Sequence, residues 1–163
     1  MTGQYDVKGV PTIRTFPATT AAKRKQTPGT YEGQREAIPI AQHAATLIPT
    51  TWVNTVSDAT SEGFFNKRPK WAHALLFTAK TVTTTMFKAL SVEYRKTIVF
   101  GEVRASKLSK RLVTSYGVTK YPTLVMVKPD GKHEKHTGGL SHMSLSFFLD
   151  KFVDHAKRSK EEL

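Results

Sequence analysis

The side chains that could carry chemistry in this chain form a short inventory. Histidines stand at His43, His73, His133, His136, His142 and His155, hydroxyls crowd the stretch Lys80-Thr81-Val82-Thr83-Thr84-Thr85-Met86, and there is no cysteine. Without a thiol, disulfide exchange, cysteine nucleophiles and Cys-based zinc sites are all closed to these residues. His133 and His136 have a spacing that metal pairs use, but on a strand they face opposite sides, and no acidic ligand set accompanies them. No metal and no cofactor is therefore expected, and neither a phosphate loop nor a dinucleotide fingerprint is present. A threonine nucleophile needs a positioned base, and the sequence shows none beside the Thr run. The run reads instead as a helix start, where a Thr oxygen accepts from the first free amides.

Composition narrows the partners. The 163 residues carry a formal net charge of +12 and are 39% hydrophobic, enough for one packed domain and part of another. The basic residues are dispersed, with small clusters at Lys23-Arg24-Lys25, Lys67-Arg68 and Lys157-Arg158. They do not alternate with aromatics as an RNA platform would, so a solvated basic surface is expected and specific nucleic-acid binding is not. No run of about 18 apolar residues exists to span a membrane. The start Met1-Thr2-Gly3-Gln4 lacks the apolar core of a signal peptide, so either the protein is not exported or its true start lies upstream.

The elements that would position these groups come in two copies. Tyr5-Asp6-Val7-Lys8-Gly9-Val10-Pro11-Thr12-Ile13 matches Tyr116-Gly117-Val118-Thr119-Lys120-Tyr121-Pro122-Thr123-Leu124, with Tyr, Val, Pro and Thr in register. After the first copy come a short strand at Ile13–Phe16, a long polar hairpin loop at Ala18–Gly29 expected to be mobile, and a helix patterned on Ile38, Ile40, Ala41, Ala44 and Leu47. After the second come an apolar strand at Leu124–Val127, a turn at Pro129-Asp130-Gly131, a strand closing at His136–Gly139, and a helix opened by Ser141. The second copy also has a run-up. Strands are expected at Trp52–Val56, His73–Thr78 and Ile98–Val103. Helices are expected at Asp58–Phe65, Thr85–Tyr94 and Lys107–Tyr116, the last with Leu108, Leu112 and Val113 on one face. The whole reads βαβαβαββα, preceded by an incomplete ββα.

That order, with X-Pro-Thr-aliphatic opening the fourth strand, resembles the thioredoxin fold, an α/β class with a central mixed sheet and flanking helices. Two such units in tandem resemble protein disulfide isomerases. The resemblance implies cis bonds before Pro11 and Pro122. It places a redox Cys-x-x-Cys just after the second strand, where this sequence has Lys80–Met86. It also implies a buried acid in that strand, where the sequence has only Ala74-Leu75-Leu76-Phe77; thiol and acid are thus expected to be missing together. Residues 1–49 are expected to be the last half of one such domain, its own Cys-x-x-Cys upstream of Met1, weakly stable by itself. Residues 50–156 form the complete, redox-inactive domain, and 157–163 a tail.

The resemblance further implies a groove for extended peptide between the second-helix start and the cis-proline, lined by Thr81, Val82, Thr83, Met86, Tyr121 and Pro122; against this, Met86 and Phe87 can equally be core residues of an amphipathic helix. The tail Lys160-Glu161-Glu162-Leu163 resembles the retrieval signals of the endoplasmic reticulum lumen, which a receptor reads. Two functions of different class follow. One is a non-catalytic module of a lumenal disulfide isomerase that holds or spaces unfolded client chains while catalytic domains elsewhere act on their disulfides. The other is a docking module for one folded partner such as a chaperone. A basic polyanion-binding domain ranks third.

Overall fold

A computed structural model of the chain describes residues 7–16 and 28–153. Most of the segment 18–29 expected as a polar loop, with the basic cluster Lys23-Arg24-Lys25, His155 and the whole 157–163 tail, lies outside the described residues. The chain divides into two units, Met1–Pro49 and Thr50–Leu163.

In the first unit β1 (Arg14–Thr15) pairs antiparallel with β2 (Gly29–Thr30), and α1 (Ala37–Thr46) follows. Pro39 falls in the first turn of α1, where its missing N–H costs nothing. The helix buries none of its residues. Tyr31 packs its ring on His43 at 4.9 Å and donates its hydroxyl to the Gln34 carbonyl.

The second unit runs β3 (Val53–Thr55), α2 (Ser61–Phe65), β4 (Ala72–Thr78), α3 (Thr85–Glu93), β5 (Ile98–Arg104), α4 (Lys110–Ser115), β6 (Thr123–Val127), β7 (His133–Lys135) and α5 (His142–Asp150). Its five strands form one mixed sheet in the order β3-β5-β4-β6-β7, parallel from β3 to β4 and antiparallel thereafter. All seven residues of β4 are buried, as befits a central strand covered on both faces. Alternation sorts its side chains: Ala74 and Leu76 join Phe87, Leu90, Phe100, Met126 and Phe148 under α3 and α5. Leu75 and Phe77 join Phe64, Val103, Leu112 and Val125 under α2 and α4. Gly101 lets the Phe64 ring and Leu75 pack onto β5, since a Cβ there would lie 2.7 Å from the ring and 2.9 Å from Leu75 and would force them to shift. Gly117, at φ +55°, ends α4 in the left-handed conformation that costs glycine least.

Three expectations need correction. The helix expected at Lys107–Tyr116 is a single 3-10 turn over Lys107–Ser109 followed by α4. The tighter turn breaks the helical phase, and Leu108 is 73% exposed instead of sharing a face with Leu112. The helix expected from Asp58 starts only at Ser61, because the Asp58 carboxyl accepts from the amides of Arg111 and Leu112 at 3.0 Å each and so caps α4 from across the domain. Desolvation pushes the Asp58 pKa up, but those two amides and the Arg111 charge outweigh it and hold it below the ordinary value. The last strand stops at Lys135, where the His136 ring turns to the Gly139 carbonyl at 3.0 Å.

Candidate functional site

The site is built at the end of the sheet where β4 and β5 finish and β6 begins. α3 starts there because Thr84 is extended and its Oγ1 accepts from the Phe87 amide at 3.4 Å. Phe87 then falls into the core, while Met86 stays 37% exposed beside Tyr121, at 39%. The Tyr121–Pro122 peptide bond is cis, and Thr123 Oγ1 donates to the Lys120 carbonyl at 2.7 Å, closing the turn into β6. Val10–Pro11 in the first unit is also cis.

A cleft of about 430 Å³ opens between these segments. Leu76 and Leu124, opposite each other in the sheet, lie in its lining, with Met86, Tyr121, Pro122 and Leu140 around them. Lys80 is its only charged lining residue. Of the six residues expected to line the groove, the fold brings Met86, Tyr121 and Pro122 together there. Thr81, Val82 and Thr83 do not line it: Thr81 and Val82 are exposed on the preceding loop, and Thr83 turns inward.

β4 carries no acid, as expected, but β5 places one beneath the inward-turned Thr83, where the resemblance puts the redox position. Glu102 is 1% exposed and pairs with Leu76 across the sheet. Its Oε2 accepts from the Thr83 hydroxyl at 2.8 Å and lies 3.4 Å from the Arg104 guanidinium. Its Oε1 is buried with no protein hydrogen-bond partner among the described residues. Thr83 thus has a carboxyl partner after all, but one to which its hydroxyl donates, and Thr83 is not among the residues that line the cleft. The pair ties the loop before α3 to the floor of the sheet. The signal was present in the sequence: a lone Glu within Ile98-Val99-Phe100-Gly101-Glu102-Val103 is a charge inside a buried strand.

His73, His133 and His136 go to structural places. His73 is buried against Phe64 and Phe65 with its Nε2 2.9 Å from the Lys67 carbonyl. Burial lowers its pKa, while carbonyls of Lys67, Trp71 and Phe64 pull the other way. His133 packs on Tyr116 and His136 on Phe148, so the two are held on separate core faces. Among the described residues no three His, Asp or Glu side chains converge on a metal position, and no described helix is long and apolar enough to cross a membrane.

Sheet order, helix placement and the proline turn beside the start of α3 define the class: the second unit is a thioredoxin-like domain. The fold is shared with ERdj5, whose crystal form II matches 91% of this chain and 20% of that chain at a TM-score of 0.60 and 15% identity. It is shared too with a chain of the ferredoxin:thioredoxin reductase–thioredoxin f2 complex, over 61% of this chain and 94% of that one, at a TM-score of 0.52 and 19% identity. No family model matches the sequence. A protein of Dictyostelium discoideum, provisionally named a protein disulfide-isomerase, is 36% identical over 152 residues, 92% of this chain. Over nearly its whole length the chain is thus similar in sequence to a protein named a disulfide isomerase, and its second unit has the thioredoxin-like fold. The chain spans 36% of the length of that relative.

Proposed function

We propose that this chain is a non-catalytic module of an endoplasmic reticulum disulfide isomerase, and that it supports oxidative folding by holding extended, unfolded client polypeptide. The observation that carries this reading is the apolar cleft of Leu76, Met86, Tyr121, Pro122 and Leu140, placed where thioredoxin-type enzymes work, in a chain without a single cysteine. Apolar walls beside the free backbone of a proline turn suit an extended chain, which brings its own amides and alternate side chains. The similarity to a protein named a disulfide isomerase and the Lys160-Glu161-Glu162-Leu163 sequence support the lumenal setting, with the retrieval receptor as a second partner.

The test is an amide-NMR titration of the 163-residue chain with an unfolded, Cys-free peptide rich in Leu and Phe. Shifts are expected at Met86, Leu124 and around Tyr121, and Met86→Lys should abolish them in a domain whose remaining spectrum is unchanged. Saturating peptide without shifts at these residues would refute the reading. So would reduction of insulin disulfides by the purified chain above background.

A further inference from the structure

At the end of the second unit's sheet opposite the cleft, where β4 and β5 begin, charge is distributed very differently. Trp71, the residue before β4, borders two concavities of about 390 and 360 Å³. Lys70, Lys96, Lys128 and Lys151 border the first, and Lys67, Arg68 and Arg95 the second. Asp130 is the one acid in either lining, and it is already 3.7 Å from Lys132.

Most of the contacts these cations make leave their charge in place. Arg68 lies 4.2 Å over the Trp71 ring and Lys128 5.6 Å over Phe152. Lys67 donates to the Asn54 side-chain carbonyl and Arg95 to the Val92 carbonyl. Lys151 has an acidic neighbour, Glu134 at 4.0 Å, in an exposed pair of little worth. Arg68 also adopts φ +51°, a left-handed backbone that is unfavourable for a residue with a Cβ.

We propose that this end of the domain is a docking surface for an acidic, extended polypeptide segment with apolar residues between its carboxylates. The cations are spread along two adjoining hollows and do not converge on one point, which fits a linear ligand of many charges and not a compact anion. Arg68 covers one Trp71 face and Lys128 approaches one of Phe152, which reduces the aromatic surface on which a single-stranded nucleic acid would stack. Ala72 and the uncovered parts of the Trp71 and Phe152 rings supply the apolar floor on which aliphatic side chains of such a segment would rest. This surface is separate from the peptide cleft, and its fate does not depend on that reading.

The test is fluorescence anisotropy of the full chain with a labelled peptide of about 20 residues alternating Glu and Leu, at about 150 mM salt. Three comparisons accompany it: the Gln/Leu analogue, an oligothymidylate of equal length, and two double variants. Lys70→Ala/Lys128→Ala should weaken acidic-peptide binding about tenfold or more without lowering Tm. Lys107→Ala/Lys110→Ala, which removes equal charge beyond the other end of β5, should leave it unchanged. Arg68→Gly should weaken binding while holding or raising Tm, since it relieves the backbone. Equal loss in the two double variants would overturn the proposal in favour of a diffuse effect of the net charge. Equal or tighter binding of the oligothymidylate, lost in Lys70→Ala/Lys128→Ala, would overturn it in favour of nucleic acid. No binding of the acidic peptide would end it outright.

Discussion

The two Pro-Thr turns of this chain share residues and a cis bond and differ in what lies under them. Around Val10–Pro11 the described residues from 7 to 49 include none that is buried, and β1 and β2 share two residue pairs. Around Tyr121–Pro122 the following strand is buried at every position and sits in a five-stranded sheet with a hydrophobic cluster on each face. One local sequence therefore writes one local turn twice, but only long-range burial turns it into the wall of a cleft. Burial of this kind is the main favourable term in folding, and the first unit's described residues have little of it.

The sharpest way to break the comparison is to remove equal side chains from each region. Leu75→Ala, in the centre of the buried β4, should cost about 2–5 kcal/mol, read by denaturant unfolding. Ile40→Ala, half-exposed in α1, should cost less than about 1 kcal/mol in the same experiment. Comparable losses would mean that the first unit contributes a core of its own to the cooperative transition.

What could be read in advance follows the same division. Elements fixed by local pattern were legible: the apolar run of β4, the Thr84 and Ser141 helix starts, the repeated proline turn. What depends on partners distant in sequence was not. Glu102 meets Thr83 only because β5 lies beside β4 and beneath the loop before α3. Asp58 leaves its own helix because a better set of amides waits at α4. The basic end of the sheet gathers Lys70, Lys96, Lys128 and Lys151 from four separate segments, so that in sequence they look merely dispersed.

Within the second unit, the next effect in size tests how the cleft is held. Thr83→Val leaves Glu102 Oε2 with only the long Arg104 contact and should destabilise by about 1–3 kcal/mol. Thr83→Val/Glu102→Leu removes both partners and should recover most of that loss, because no buried carboxyl then goes unpaired. If the double variant is worse than the single one, Glu102 has a stabilising role independent of Thr83. Tyr94→Phe is expected to be milder, about 1 kcal/mol, for the hydroxyl donated to Asp150 at 2.8 Å between α3 and α5. Burial and that contact push the Tyr94 pKa up to about 12, so its share of stability is full below pH 10 and is lost as pH rises from 10 through 12.

The smallest effect tests the buried histidine of the second unit. His73 is buried with its folded pKa depressed, chiefly by desolvation, whereas the unfolded chain takes up a proton there near the ordinary value of about 6.5. Below that pH the unfolded state binds more protons, so stability must fall as pH drops from about 6.5 toward the lower folded value, and must be flat above it. His73→Gln, which keeps a donor for the Lys67 carbonyl, should flatten this part of the stability curve relative to the parent chain. Chemical denaturation at pH 7.5, 6.5 and 5.5 measures the difference against the parent, which cancels the other titrating groups. An unchanged slope in His73→Gln would mean that the core opens to water at β4 well before it unfolds.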